Sequence, residues 1–149
     1  HTPSATGYLQ QPLALGPDYV VASDTKALSG HSDLVLGHVA TTDPERTSAL
    51  RSWRTQQGGI PGPMEVWLAH RSLATLPLRL DRQCSSAQQL ADFLSSHRNV
   101  EAVHYPGLPD HPGHAVAKRQ MQAFGSVVRF DLATRARVER VLPDDTFPR

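Results

Sequence analysis

The sequence predicts an α/β fold, and three observations carry that expectation. Short apolar runs alternate with stretches of helical spacing along the chain. The first clear run, Tyr19-Val20-Val21-Ala22, is continuous, as in a strand buried on both faces of a parallel sheet. Asp43-Pro44-Glu45 then combines an N-cap residue, a proline suited to the first helical position and an acid for the first turn.

Taken in order, residues 1–17 read as loop with one or two helical turns at 12–15, stopped by Gly16. A strand over 19–22 runs into Ser23-Asp24-Thr25-Lys26, and 27–33 form a polar loop. Residues 34–40 are a second strand. The helix opened by Asp43 runs to about Gln57 and stops at Gly58-Gly59. From Met64 the spacing of Val66, Trp67, Leu68, Leu73, Leu76 and Leu80 is helical, with a break expected at Pro77. Helical spacing resumes through Leu90 and Leu94 and ends near His97. A strand over 100–105, a helix over 115–124 ended by Gly125, a strand over 127–132 and a final helix over 134–142 complete the pattern. Trp53 and Trp67 fall in the helical patterns and are expected to be packing residues.

The 149 residues carry 15 Lys and Arg against 14 Asp and Glu, a net charge of +1. A nucleic-acid or polybasic membrane binder would show a clear basic excess, so neither partner is expected. No apolar run approaches the ~18 residues that span a bilayer. The one cysteine, Cys84, excludes an intramolecular disulfide framework and points to a reducing, cytoplasmic setting. The chain starts at His1 and ends in LPDDTFPR; it is expected to be an internal piece of a longer parent.

The strongest chemical signal is Ser23-Asp24-Thr25-Lys26 at the end of a strand, where ligands of open α/β sheets gather. Two hydroxyls two residues apart can donate to one phosphate, and the neighbouring amine can condense with an aldehyde. Taken bare, that tetrapeptide also suits an ordinary solvated lysine beside a turn. His104, Asp110, His111 and His114 raise a metal site, but their Pro- and Gly-rich surroundings favour a surface loop, and no metal is expected. His31 and Asp33 read as turn and supporting residues rather than an acid–base pair. Ser32 lacks a G-x-S-x-G elbow. Cys84 is read as incidental, and Arg71 and Arg79 as structural or interface residues.

The longer segment V-V-A-S-D-T-K-A-L-S-G-H-S-D resembles the lysine segment of the pyridoxal-phosphate (PLP) enzymes of cysteine and methionine metabolism, the trans-sulfuration family. Other family-like segments follow in order: Leu9-Gln10-Gln11-Pro12-Leu13, Gly62-Pro63-Met64-Glu65-Val66-Trp67-Leu68, His70-Arg71-Ser72-Leu73-Ala74-Thr75-Leu76, Tyr105-Pro106-Gly107-Leu108, and Arg119-Gln120-Met121 with Phe124-Gly125. The resemblance reaches to about residue 142, and I-P-G-P-M-E and W-L-A-H-R-S look most like the actinobacterial cystathionine γ-lyases.

The resemblance implies the fold of type I PLP-dependent transferases, similar to aspartate aminotransferase. Residues 1–78 would be the last part of the PLP-binding large domain, and residues 79–149 the beginning of the C-terminal small domain. It implies Lys26 as catalytic Schiff-base lysine, Ser23 and Thr25 as cofactor-binding residues for the PLP phosphate, and a cytoplasmic homotetramer. The implied reaction is γ-elimination of cystathionine to cysteine, 2-oxobutanoate and ammonia, with cystathionine γ-synthase and methionine γ-lyase as alternatives. A non-catalytic remnant serving binding or oligomerisation is the alternative of another class. The sequence also departs from the family pattern. The acid partner of the pyridine nitrogen is expected at His1 or, with a one-residue shift, just before it, so no Asp is present for it in either case, and Ala27 and Ser72 replace a common aromatic and a common glycine. The upstream phosphate loop, the stacking aromatic and the carboxylate-binding arginine have no counterpart in these residues. The 149 residues alone are therefore not expected to turn over.

Overall fold

The computed structural model describes residues 5–132. Their order is α1 (Thr6–Leu9), a 3-10 turn (Pro12–Leu15), β1 (Val20–Ser23), β2 (Gly37–Ala40), α2 (Pro44–Gln57), α3 (Pro63–Leu73), α4 (Leu76–Ser95), β3 (Val100–His104), α5 (His114–Gln120) and β4 (Arg129–Leu132). The helix expected over 134–142 lies outside the described residues.

Helices and strands mix as the α/β pattern predicts, but the strand pairing differs from the expected parallel sheet. Among the described residues β1 pairs only with β2 and β3 only with β4, both antiparallel. β1 is therefore not buried on both faces. Val20 is buried, whereas Tyr19 and Val21 are 44% and 46% exposed. An antiparallel pair can bury one face and leave the other in water, and Tyr19 and Val21 lie on the open one. β2 is also shorter than the apolar run over 34–40. The Leu36 carbonyl accepts from Asp24 N (2.9 Å) and Thr25 N (3.2 Å), which closes a turn instead of extending the ladder.

α2 follows from local chemistry. Asp43 caps it by accepting from Glu45 N (2.8 Å) and Arg46 N (3.1 Å), and Gly58 ends it in the left-handed conformation at φ 71°. Arg46 ties its first turn to Asp18 by an ion pair and lies 5.5 Å from the centre of the Tyr19 ring. α2 contributes no buried residue, and Trp53 on it is 62% exposed; Trp67 on α3 is 56% exposed. Neither tryptophan is the packing residue that helical spacing suggested, because no described element covers those faces.

α4 supplies the core. Leu76, Leu80, Cys84, Ala87 and Ala91 recur every three or four residues and are its buried row. The first three meet Ala5 and Leu9, flanked by Tyr8, Ala27, Met121 and Ala123. Ala87 and Ala91 meet Tyr105, flanked by Val103, Leu108, Phe124 and Val128. Pro77 lies in the first turn of α4, where a missing N–H is tolerated, so the expected break falls between α3 and α4. The division expected at 78/79 falls inside that same turn.

The C-terminal elements are shorter than the sequence pattern. α5 stops at Gln120, not at 124, because Gln122 N donates to the Leu9 carbonyl at 2.8 Å and holds the chain extended. That places Met121 and Ala123 on one cluster and Phe124 on the other. Phe124 stacks on His114 (5.4 Å) and meets Tyr105 edge-on (6.5 Å). Tyr105 leaves β3 and turns inward, 1% exposed, with its hydroxyl donating to the Gly125 carbonyl at 2.9 Å.

Two outcomes follow from this packing. Leu80 is fully buried; Leu80→Ala should lower unfolding free energy by about 2–5 kcal/mol in urea titrations. Burial, helped by Cys84 and Asp92, pushes the Tyr105 phenol from 10.0 up to about 12. Between those values the folded protein holds a proton that the unfolded chain has released. Stability should therefore fall as pH rises from 10 towards 12, and Tyr105→Phe should flatten that slope.

Candidate active site

β1 ends at Ser23, and the chain turns sharply through the next residues. The turn is built by its own backbone: Lys26 N donates to Ser23 O (3.3 Å), Ser29 N to Asp24 O (3.0 Å) and Gly30 N to Lys26 O (2.9 Å). Gly30 closes it at φ 70°, a conformation that costs a residue with a Cβ. Side chains add three further ties. Thr25 Oγ1 donates to the Leu36 carbonyl (3.2 Å) and accepts from Leu36 N (3.0 Å). Ser29, fully buried, donates its hydroxyl to the Thr25 carbonyl at 3.1 Å. Asp24, 4% exposed, accepts from His38 Nδ1 at 2.6 Å. A buried carboxylate without such a partner would be strongly disfavoured.

Lys26 is the exposed residue on this turn and enters none of the ion pairs among the described residues. It lines an open cleft of about 1070 Å³ with Thr25, Asp33, Glu65, Gln83 and Ser126. Ser23, half-buried, lines a different and smaller cleft of about 290 Å³. The structure thus brings Lys26 and Thr25 to one cavity and puts Ser23 on another.

The donor set fits an aldehyde cofactor with a phosphate. A primary amine that enters no ion pair among the described residues lines an open cleft, on a turn fixed by hydrogen bonds. Ser23 carries a second hydroxyl, but on the other cleft. Thr25 can donate only by giving up the Leu36 carbonyl, since a hydroxyl has one proton. Asp33 and Glu65 make the cleft hospitable to a cationic group.

The other singled-out residues have local partners. His31 Nδ1 donates to the Ser29 carbonyl at 2.5 Å, and Ser32 sits at φ 56° in the same loop. His104 pairs with Asp131 at 2.7 Å, His111 Nδ1 accepts from Gly113 N at 3.0 Å, and His114 Nδ1 donates to the Pro106 carbonyl at 2.8 Å. Arg129 with His104 holds the Asp131 carboxyl below its ordinary range, the His104 contact contributing most. Cys84 is buried, and burial pushes its thiol up. Sequence reasoning missed the Asp24–His38 pair, whose signal lies in the β1–β2 register that sets His38 opposite Ala22. It also missed Glu65 and Gln83, which come to the cleft from α3 and α4.

Comparison with known proteins gives the same direction. The profile of the Cys/Met metabolism PLP-dependent enzymes matches residues 3–146. A Streptomyces coelicolor protein assigned as a cystathionine gamma-lyase is 53% identical over 138 residues, which are 93% of this chain and 35% of that protein. A cystathionine beta-lyase of Lactococcus lactis is 47% identical over 86% of this chain and 34% of its own length. The solved cystathionine gamma synthase of Xanthomonas oryzae pv. oryzae superposes with a TM-score of 0.90 at 38% identity, covering 93% of this chain and 36% of that one. The chain thus spans about a third of the length of the relatives it matches.

The Thr25 bridge makes its own prediction. Thr25→Ser keeps both hydrogen bonds to Leu36 and should leave amide exchange at Leu36 unchanged. Thr25→Val removes both, and exchange there should accelerate by about tenfold, one hydrogen bond's net worth.

Proposed function

The chain belongs to the Cys/Met metabolism PLP-dependent enzyme family, and on that footing we propose that it is the lysine-bearing part of a PLP-dependent carbon–sulfur lyase. The observation that carries this reading is Lys26: an exposed amine, in no ion pair among the described residues, on a hydrogen-bonded turn that lines an open cleft. PLP, when bound, supplies the electron sink that makes carbons next to a substrate's amino group acidic. The Lys26 amine takes a proton from the substrate's Cα and moves protons between neighbouring carbons, and the fixed turn keeps its reach constant. Ser23 would donate to the cofactor phosphate where that group reaches the neighbouring cleft that Ser23 lines. Thr25 holds the turn to Leu36 and reaches the phosphate only when that bond opens.

Within the family, the reading is γ-elimination: cystathionine and water give cysteine, 2-oxobutanoate and ammonia. The 53% identity to the Streptomyces coelicolor protein is in line with this reading, and cystathionine γ-synthase and methionine γ-lyase are its alternatives. Residues 1–78 would close the cofactor domain and residues 79–149 begin the smaller one. A cytoplasmic homotetramer belongs to the same proposal; the exposed apolar side chains Trp53, Met64, Trp67 and Leu78 fit a further interface, without fixing its partner.

The test is made on the complete protein that carries this chain. The wild type should be yellow with PLP and release 2-oxobutanoate from cystathionine; pyruvate instead would place the cut on the other side of the sulfur. Lys26→Ala should lower turnover by about 10²–10⁴-fold, the usual worth of a positioned base. Ser23→Ala should weaken PLP binding by roughly 10- to 150-fold, the loss of one hydrogen bond to a charged group. A colourless wild type that stays inactive with added PLP would favour a non-catalytic binding or oligomerisation module.

A further inference from the structure

We propose that Arg79 is a positioning residue for Lys26, acting from α4 through the turn that carries the lysine. The turn's internal hydrogen bonds use the carbonyls of Ser23, Asp24, Thr25 and Lys26. The next two carbonyls, of Ala27 and Leu28, are taken by Arg79: Nη1 donates to Ala27 O at 2.9 Å and Nη2 to Leu28 O at 2.8 Å. The same guanidinium holds the junction between α3 and α4, with Nη2 donating to Ser72 O at 3.0 Å and Nε to Thr75 Oγ1 at 3.1 Å. Four of its five N–H groups are thus used, none on a carboxylate.

The bonds therefore serve geometry rather than charge neutralisation. The rigid, forked guanidinium fixes where the Lys26 turn sits against α4, and an ammonium could not reproduce that fork. Gly30 completes the arrangement, because a Cβ at that position would run into Arg79 Nη1. Leu80, next to Arg79 in sequence, is fully buried, so the base of the arginine is anchored in the core. Lys26 is therefore held from two sides, by Leu36 beside β2 and by Arg79 on α4.

This inference rests on the reading of Lys26 as the catalytic amine, and its test separates the two. In the complete PLP-loaded protein, Arg79→Lys and Arg79→Gln should lower kcat by up to about 100-fold, as expected for a group misplaced by an ångström, with KM changed far less. Arg79→Lys should recover little of that loss, since it keeps the charge without the fork. In the cofactor-free protein, amides over residues 27–30 should exchange about tenfold faster in both variants, with those of α4 unaffected. Wild-type kcat and exchange in folded Arg79 variants, with Lys26→Ala inactive, would overturn the positioning role and leave the function standing. Failure of both Arg79 variants to fold would make Arg79 a residue of general stability and would equally overturn it. Full activity in Lys26→Ala would overturn the underlying reading instead.

Discussion

Helix α4 buries one row of side chains, and both clusters of the core are assembled on it. Leu76, Leu80 and Cys84 meet the N-terminal turn residues Ala5 and Leu9, and Ala87 and Ala91 meet Tyr105 a helical turn or two later. The alanines let Tyr105 approach closely, and the leucines fill the wider space beneath α1. Because a close-packed interior transmits displacement rather than absorbing it, the two clusters are mechanically joined. Cys84 marks the join: it packs with the first cluster and lies near Gly125, whose carbonyl takes the Tyr105 hydroxyl of the second.

The β1–β2 pair has much less behind it. Val20 is its buried apolar residue, while Val21 and Val39 are each 46% exposed. Two strands with one lightly covered face are marginal on their own. The lysine turn therefore gains its definition from polar ties that do not depend on apolar burial: the Leu36 backbone, the Asp24–His38 pair and the Arg79 guanidinium. Exposed apolar side chains on α2 and α3 point the same way as the comparison of lengths. The chain spans about a third of the length of its relatives, and Trp53, Met64 and Trp67 are among the apolar side chains exposed on these helices.

How much of this was legible in the sequence depended on the range of the interaction. α2 was read within a residue at both ends, since Asp43, Pro44 and Gly58 act on their own neighbours. A break near Pro77 was legible for the same reason, although it falls just before the proline, between Leu73 and Leu76. Strand direction was not, because a continuous apolar run reports burial and says nothing about the partner that causes it. α5 was overrun because its end is decided by a hydrogen bond from Gln122 to Leu9, 113 residues away in sequence. At the site, the position of Lys26 just past the end of a strand was legible through the apolar run before it. Asp24–His38 and Arg79 were not, as each joins residues that only the folded chain brings together.

The same distinction explains how a solvent-facing lysine can be well placed. A long, flexible side chain loses entropy when held, so a fixed Lys26 side chain would be costly. The structure fixes the backbone on both sides of it instead. Thr25 spends its only hydroxyl proton on Leu36, and Ala27 and Leu28 give their carbonyls to Arg79. The amine keeps its freedom to reach, release and recover a partner, while its point of attachment does not move. A lysine that must exchange one bonding partner for another needs that combination. On the proposed reading, Thr25 and Arg79 would serve the chemistry without touching a substrate: their hydrogen bonds hold the backbone beside the lysine and leave the lysine side chain alone.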